Sequence, residues 1–286
     1  MTIKNPIEWT GAQFVNTAQG LNSLGRSLHH VDETIHSPAP AVRKITVDDL
    51  RDALRKGFDD FGAYRTDVIF LGVVYAVVGL ILARLAFGMD LLPLVFPLAS
   101  GFALIGPIAA VGLYEMSRKR ELGEEANFAN AFDVFREPAA GGVFVLGLIL
   151  VATFLLWQLA AWLIYRVTLG PAEPASIAAF AQAVFFTARG WAMIVVGMGV
   201  GFLFAVFAMS ISLVSFPLLI DRDVGLDTAI KTSVRAVRMN PVETALWGLI
   251  VAAGLVLGSI PLFIGLVVTI PVLGHATWHL YRKIVV

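Results

Sequence analysis

Two histidines four residues apart, His275 and His279, are the first candidates for chemistry in this sequence. At that spacing they share one helix face and can hold zinc or another metal between two imidazoles. Two ligands leave a site incomplete; His29, His30 and His36 are the remaining histidines that could add to it. Prolines inside apolar runs are the second candidates. Pro93, Pro97, Pro107, Pro217 and Pro271 each remove a backbone hydrogen bond and tend to kink a helix. A broken helix can present backbone to a small ligand, so Pro97, Gly101, Pro107, Pro217 and Pro271 are candidates for lining one. The GxxxG pairs Gly197/Gly201 and Gly254/Gly258 mark close helix packing, within one chain or between two. There is no cysteine, which removes disulfides, thiolate catalysis and Cys-ligated metals. Nucleophile elbows, Walker loops, HExxH and dinucleotide-binding glycine patterns are not visible. The residues therefore predict no catalytic group and no cofactor.

The elements that must position these residues are membrane helices. Of 286 residues, 58% are hydrophobic and 15% charged, against about 25% charged in an ordinary soluble domain. Mean hydropathy is +0.80. That excludes a soluble enzyme and a disordered chain. The 21 basic and 21 acidic residues cancel, which argues against a nucleic-acid partner. About 20 apolar residues cross the hydrocarbon core as a helix. Six runs qualify: 68–87, 91–114, 140–165, 190–220, 243–258 and 260–280. The fourth is too long for one perpendicular span and predicts tilt or an extension beyond the bilayer. The fold class is all-α: a polytopic membrane protein with six transmembrane helices over 46–286, preceded by a polar, largely disordered tail over 1–45. That tail carries no apolar core of a cleavable signal peptide.

Six spans place 18 of the 21 Lys and Arg on one side. Both termini are then cytoplasmic and the location is the inner membrane. Trp162, Tyr165 and Trp191 fall at the outer interface, and Tyr114, Trp247, Trp278 and Tyr281 at the inner one. That depth suits amphipathic rings as anchors. Ionisable residues deep in the spans are nearly absent; Gln158, beside Trp157, is the most deeply placed large polar side chain.

Three stretches outside the spans are amphipathic. In 46–64, Thr46 is an N-cap and Val47, Leu50, Leu54, Phe58 and Phe61 share a face. This predicts a helix on the inner membrane surface, or paired with a partner helix. The loops 123–136 and 225–238 match from their glycines. Phe128, Phe132 and Phe135 align with Ile230, Val234 and Val237, and Arg136 with Arg238. Each loop predicts a surface helix, and the two span–loop–span units predict a parallel internal repeat. On the outer side, 174–188 predicts a surface helix too short to span.

The stretches Pro271–Lys283, Ser215–Gly225 and Ala63–Asp67 together resemble an uncharacterised family of proteobacterial integral membrane proteins, known as a domain of unknown function. The resemblance covers roughly residues 45–286 and implies no activity. Some members are loosely labelled cytochrome c oxidase subunit I. That label implies about twelve spans and six metal-ligating histidines within them, which this chain with its five histidines does not match.

The sequence thus predicts a membrane protein without enzymatic activity, in a structural, accessory or assembly role. Its partners would be the lipid bilayer and another membrane protein or a second copy. A small-molecule or lipid transporter is the alternative, and a metal-dependent membrane enzyme at the cytoplasmic interface the third reading.

Overall fold

A computed structural model describes residues 40–63, 84, 92–124, 134, 139–170, 174–261 and 264–286. Residues 1–39 of the expected tail, the expected first span 68–87 apart from residue 84, His29, His30, His36 and most of the first loop helix lie outside the described residues; the end of the expected tail, 40–45, is instead ordered against the C-terminal segment. Helices make up the rest: α1 Val47–Ala63, α2 Val95–Glu121 after a 3-10 turn Leu92–Leu94, α3 Ala140–Thr168, α4 Ile177–Phe186, α5 Ala188–Ser212, α6 Ser215–Asp221, α7 Leu226–Met239, α8 Pro241–Ser259 and α9 Leu266–Ile284.

Four of these stretches are long and apolar enough to cross a membrane: Leu92–Glu121, Ala140–Thr168, Ala188–Asp221 and Pro241–Ser259. The expected sixth span is not among them. Its helix, α9, carries His275, Trp278, His279, Arg282 and Lys283 in its second half. That half can be polar because it packs against α1 and α2 rather than facing outward.

The fourth run resolves its excess length by breaking. After Ser212 the chain turns at Leu213–Val214 and restarts as α6. Pro217 explains the position, since a proline has no N–H to offer the carbonyl four residues before it and its ring clashes there. Ser233 of α7 accepts the freed Val214 N–H at 3.1 Å. Pro107 and Pro271 lie inside helices that continue through them. Pro97 sits in the first turn of α2, where a missing N–H costs little.

The short helix expected over 174–188 is present as α4; Ser176 caps it, accepting from Ala179 N at 3.1 Å. Thr187 then caps α5 through Gly190 N at 3.0 Å.

α9 is the centre of the fold, touching α1, α2 and α8; α3 joins α2 to α5, and α7 packs on α5 and α6. The largest fully buried side chains are Leu146 and Leu150 on α3 and, on α1, α2, α6, α8 and α9, Leu50, Leu113, Met116, Phe216, Leu218, Trp247, Trp278, Leu280, Tyr281 and Ile284. This corrects the anchoring role expected for the inner aromatics. Tyr114, Trp247, Trp278 and Tyr281 are core residues, at most 2% exposed, whereas Trp162 and Trp191 on the other side are exposed. Outward-facing Leu, Phe and Val cover α3 and α5.

The amphipathic helices also differ from expectation in which face they bury. In α1 the buried residues are Leu50, Ala53, Gly57 and Asp60, while Val47 and Phe58 are exposed. In α7 they are Thr228, Ala229, Thr232, Ser233 and Ala236, with Ile230, Val234 and Val237 half-buried beside them. The reason is the same in both: close helix approach requires small residues at the contact line, and the larger apolar side chains flank it. The partner of α1 is therefore α9 of its own chain.

The two ends of the described chain are tied together. Val42 and Val285 form an antiparallel bridge, with Arg43 N donating to Ile284 O and Val286 N to Ala41 O, both at 3.0 Å. Asn240, 1% exposed, joins this tie to the α7–α8 corner. Its Oδ1 accepts from Ile45 N at 2.8 Å and its Nδ2 donates to Arg43 O at 3.2 Å. Asn240→Ala strands the buried Ile45 N–H and is expected to lower stability by about 1–3 kcal/mol. Thermal unfolding in detergent checks this. Asn240→Asp, which keeps the acceptor, should lose less, and an unchanged midpoint for the alanine variant would show the contact to be idle.

Candidate functional site

The buried ionisable groups converge where α1, α2 and α9 meet. α1 begins with a reciprocal cap: Thr46 Oγ1 accepts from Asp49 N at 3.3 Å, and Asp49 Oδ2 accepts from Thr46 N at 3.0 Å. It then runs antiparallel along α9, with Asp52 beside Lys283 at 2.9 Å and Gly57 against Val272 and Ala276. One turn further, Asp60 enters the bundle at 4% exposure.

Asp60 is the shared acceptor of three donors from two helices, α2 and α9. Ser117 Oγ donates to its Oδ2 at 2.6 Å, His279 Nε2 to the same oxygen at 2.8 Å, and Arg120 Nη1 to Oδ1. Burial by itself would raise the Asp60 pKa. The hydrogen bonds from His279 and Ser117 and the histidine charges outweigh it and hold the carboxyl below its ordinary 3.8. Asp60 is thus ionised at neutral pH and only accepts. Ser117 must therefore direct its proton to Asp60, and His275 Nδ1, 2.8 Å from Ser117 Oγ, must carry the proton of that contact. This assigns His275 the Nδ1–H tautomer, with the Leu113 backbone adding a hydrogen bond to the ring.

The histidine pair expected from spacing is thus brought together, around a carboxylate that spacing did not indicate. His275 is fully buried and His279 is 11% exposed at its side chain. Their partners are Ser117 and Asp60 rather than Glu115 or Asp221. Glu115 is engaged by Arg118 at 2.8 Å, and Asp221 by Tyr281 Oη at 2.6 Å and Arg282 at 3.1 Å. Among the described residues no group of three or more His, Asp or Glu has the arrangement of a metal site. Sequence reasoning passed over Asp60 because it lies off the large apolar stripe of α1. The signal was there: Ala53, Gly57 and Asp60 follow the i, i+4, i+7 spacing of one face.

The other candidates separate. Pro97 and Gly101 meet α3: the Pro97 carbonyl accepts from Trp157 Nε1 and Gln158 Nε2, both at 3.0 Å, and a Cβ on Gly101 would lie 2.7 Å from Phe154. Pro107, Pro217 and Pro271 do not join that contact; Pro217 and Pro271 are buried on α6 and α9. Gly254 and Gly258 face α9, with a Cβ there meeting Thr269 at 3.0 Å and Leu266 at 2.7 Å, so this pair acts within the chain. A Cβ on Gly201 would lie 3.0 Å from Trp157, whereas one on Gly197 would meet nothing within 4 Å among the described residues. A shallow apolar depression of about 230 Å³ between α3 and α5 is lined by Thr153, Leu156, Leu203, Phe204 and Phe207.

The chemistry available at Asp60 is charge neutralisation. Ser117 is 1% exposed and its proton is held by Asp60, so it is placed as a structural donor and not as a nucleophile.

Residues 95–221 match the family described as predicted integral membrane protein, DUF2189. That range takes in α2 through α6, including the Ser215–Asp221 part of the resemblance noted in the sequence; Pro271–Lys283 and Ala63–Asp67 lie outside it. No curated protein and no solved structure matches the chain.

Proposed function

We propose that this integral membrane protein, matched over 95–221 to a membrane family of unknown function, serves a structural, accessory or assembly role and has no catalysis of its own. The observation that carries this reading is the Asp60 junction. Asp60, Ser117 Oγ, His275 Nδ1 and His279 Nε2 form the hydrogen bonds that hold α1, α2 and α9 to one another, which is what a rigid base needs. Polar groups that are satisfied internally rigidify and specify a packing.

The finer architecture belongs to the same proposal. The protein has six spans in the inner membrane, with both termini cytoplasmic. The tie between residues 41–43 and 284–286 supports a common side for the two ends. The amphipathic α7 supports the second half of a parallel repeat. Lipid surrounds the exposed faces of α3 and α5, and a second membrane protein or a second copy is the expected partner.

Two measurements test this. The chain has no native cysteine, so single cysteines report topology without background. Cysteines replacing Lys44 and Lys231 should react with an impermeant maleimide only from the cytoplasmic side, and one replacing Arg189 only from the opposite side. Labelling of Lys44 and Lys231 variants from opposite sides would overturn the topology. Co-purification in mild detergent should recover a stoichiometric membrane partner or a homo-oligomer; a clean monomer would remove the accessory role.

A further inference from the structure

Most basic residues at the tied end are neutralised within the chain. Arg118 pairs with Glu115, Arg120 with Asp60, Arg282 with Asp221 and Glu121, and Lys283 with Asp52. Arg235 and Arg238 on α7 are different. Both are exposed, and neither makes an ion pair among the described residues. With Lys231 they recur at i, i+4 and i+7 and so form one row along the helix. Lys231 is also exposed and is held by Asp227 at 2.8 Å. Glu243, on the first turn of α8, is half-buried.

The surroundings of this row define its occupant. α7 turns Thr228, Ala229, Thr232, Ser233 and Ala236 inward. Ile230, Val234 and Val237 are half-buried on the next sector and border the basic row. Depth is set by the connection: Met239 ends α7, Pro241 begins α8, and Asn240 alone separates them. Arg238 is therefore within one turn of the start of a helix apolar enough to cross the bilayer. Cations at that depth meet lipid phosphates, and an apolar shoulder beside them meets the upper acyl region.

We infer that the outward face of α7 is a docking surface for anionic phospholipid headgroups, with Arg235 and Arg238 on the phosphates and Ile230, Val234 and Val237 at the acyl boundary. The inference rests on α8 crossing the membrane and holds whatever the total number of spans. It is independent of an accessory role.

The test uses the full chain in nanodiscs of phosphatidylcholine with a rising fraction of phosphatidylglycerol. The protein is then extracted in mild detergent and its retained lipid counted by mass spectrometry. Phosphatidylglycerol should be enriched. Arg235→Gln/Arg238→Gln should cut the enrichment on the order of twentyfold, from about fivefold for each cation near the surface. Arg235→Lys/Arg238→Lys should keep most of it, and Arg189→Gln should leave it unchanged. Excess inorganic phosphate should not displace the lipid. Equal enrichment in the wild type and in a glutamine variant with an unshifted melting temperature overturns the proposal. So does loss of enrichment to free phosphate, which would mark a small-anion site instead.

Discussion

Gly57→Leu releases α1 from the bundle. A Cβ at Gly57 would lie 2.6 Å from Ala276 Cβ, 2.7 Å from the Val272 carbonyl oxygen and 2.8 Å from Ala276 N. Two of those atoms are backbone and cannot rotate away. Overpacking of a close contact costs about 1–3 kcal/mol when neighbours can shift, and here α1 must move as a body. Even Gly57→Ala should destabilise, although alanine favours a helix over glycine by roughly 1 kcal/mol. Gly62 is the internal control. Among the described residues nothing lies within 4 Å of its Cβ position, so Gly62→Ala is expected to gain helix propensity without a clash with them. The readout is accessibility at Ala53, which is fully buried. An Ala53→Cys protein should resist maleimide, and the same protein carrying Gly57→Leu should label rapidly. Continued protection in the double variant would mean that α1 and α9 are not in the contact described.

Asp60→Ala is expected to be nearly as damaging, for an electrostatic reason. It leaves His279, Ser117 and Arg120 facing a space with no acceptor. Removing one partner of a buried ion pair costs about 3–5 kcal/mol. The Arg120 side chain is 39% exposed, so water recovers its share and the lower end of that range applies. Asp60→Asn keeps an acceptor oxygen and should fall between the wild type and the alanine variant.

The pH dependence has a definite sign. The folded carboxyl lies below the ordinary 3.8. Its contribution is therefore complete above that value and is lost as pH falls through the lowered folded pKa. The thermal unfolding midpoint of the wild type should fall below roughly pH 4. In the Asp60→Asn background that acid-side component should be missing. An acid response of the same size in both would assign it to other carboxylates. Asp52 is one, since its hydrogen bond and charge contact with Lys283 outweigh burial and hold its pKa at about 2.

The amphipathic character of α1 was legible because Val47, Leu50, Leu54, Phe58 and Phe61 recur at helical spacing. Its docking face was not, because large apolar residues report amphipathicity while small ones set the line of closest approach. In α7 likewise, Thr228, Ala229, Thr232, Ser233 and Ala236 are buried, with Ile230, Val234 and Val237 half-buried beside them. Pro217 was legible as a site of helix disruption. What the sequence did not show is that Ser233, 19 residues away, accepts the Val214 N–H at the interruption.

Helical class and membrane residence come from the sequence alone. Transfer free energies of apolar runs and flanking cations are local quantities that add along the chain. The identity of the site came only from the tertiary structure. Asp60 meets Ser117 across 57 positions and His279 across 219. A buried carboxylate is tolerated or ruinous according to what lies within 3 Å of it, and no linear pattern carries that distance. For the same reason Trp278 and Tyr281 read as interface anchors in the sequence and prove to be buried, bonded to Glu121 of α2 and Asp221 of α6.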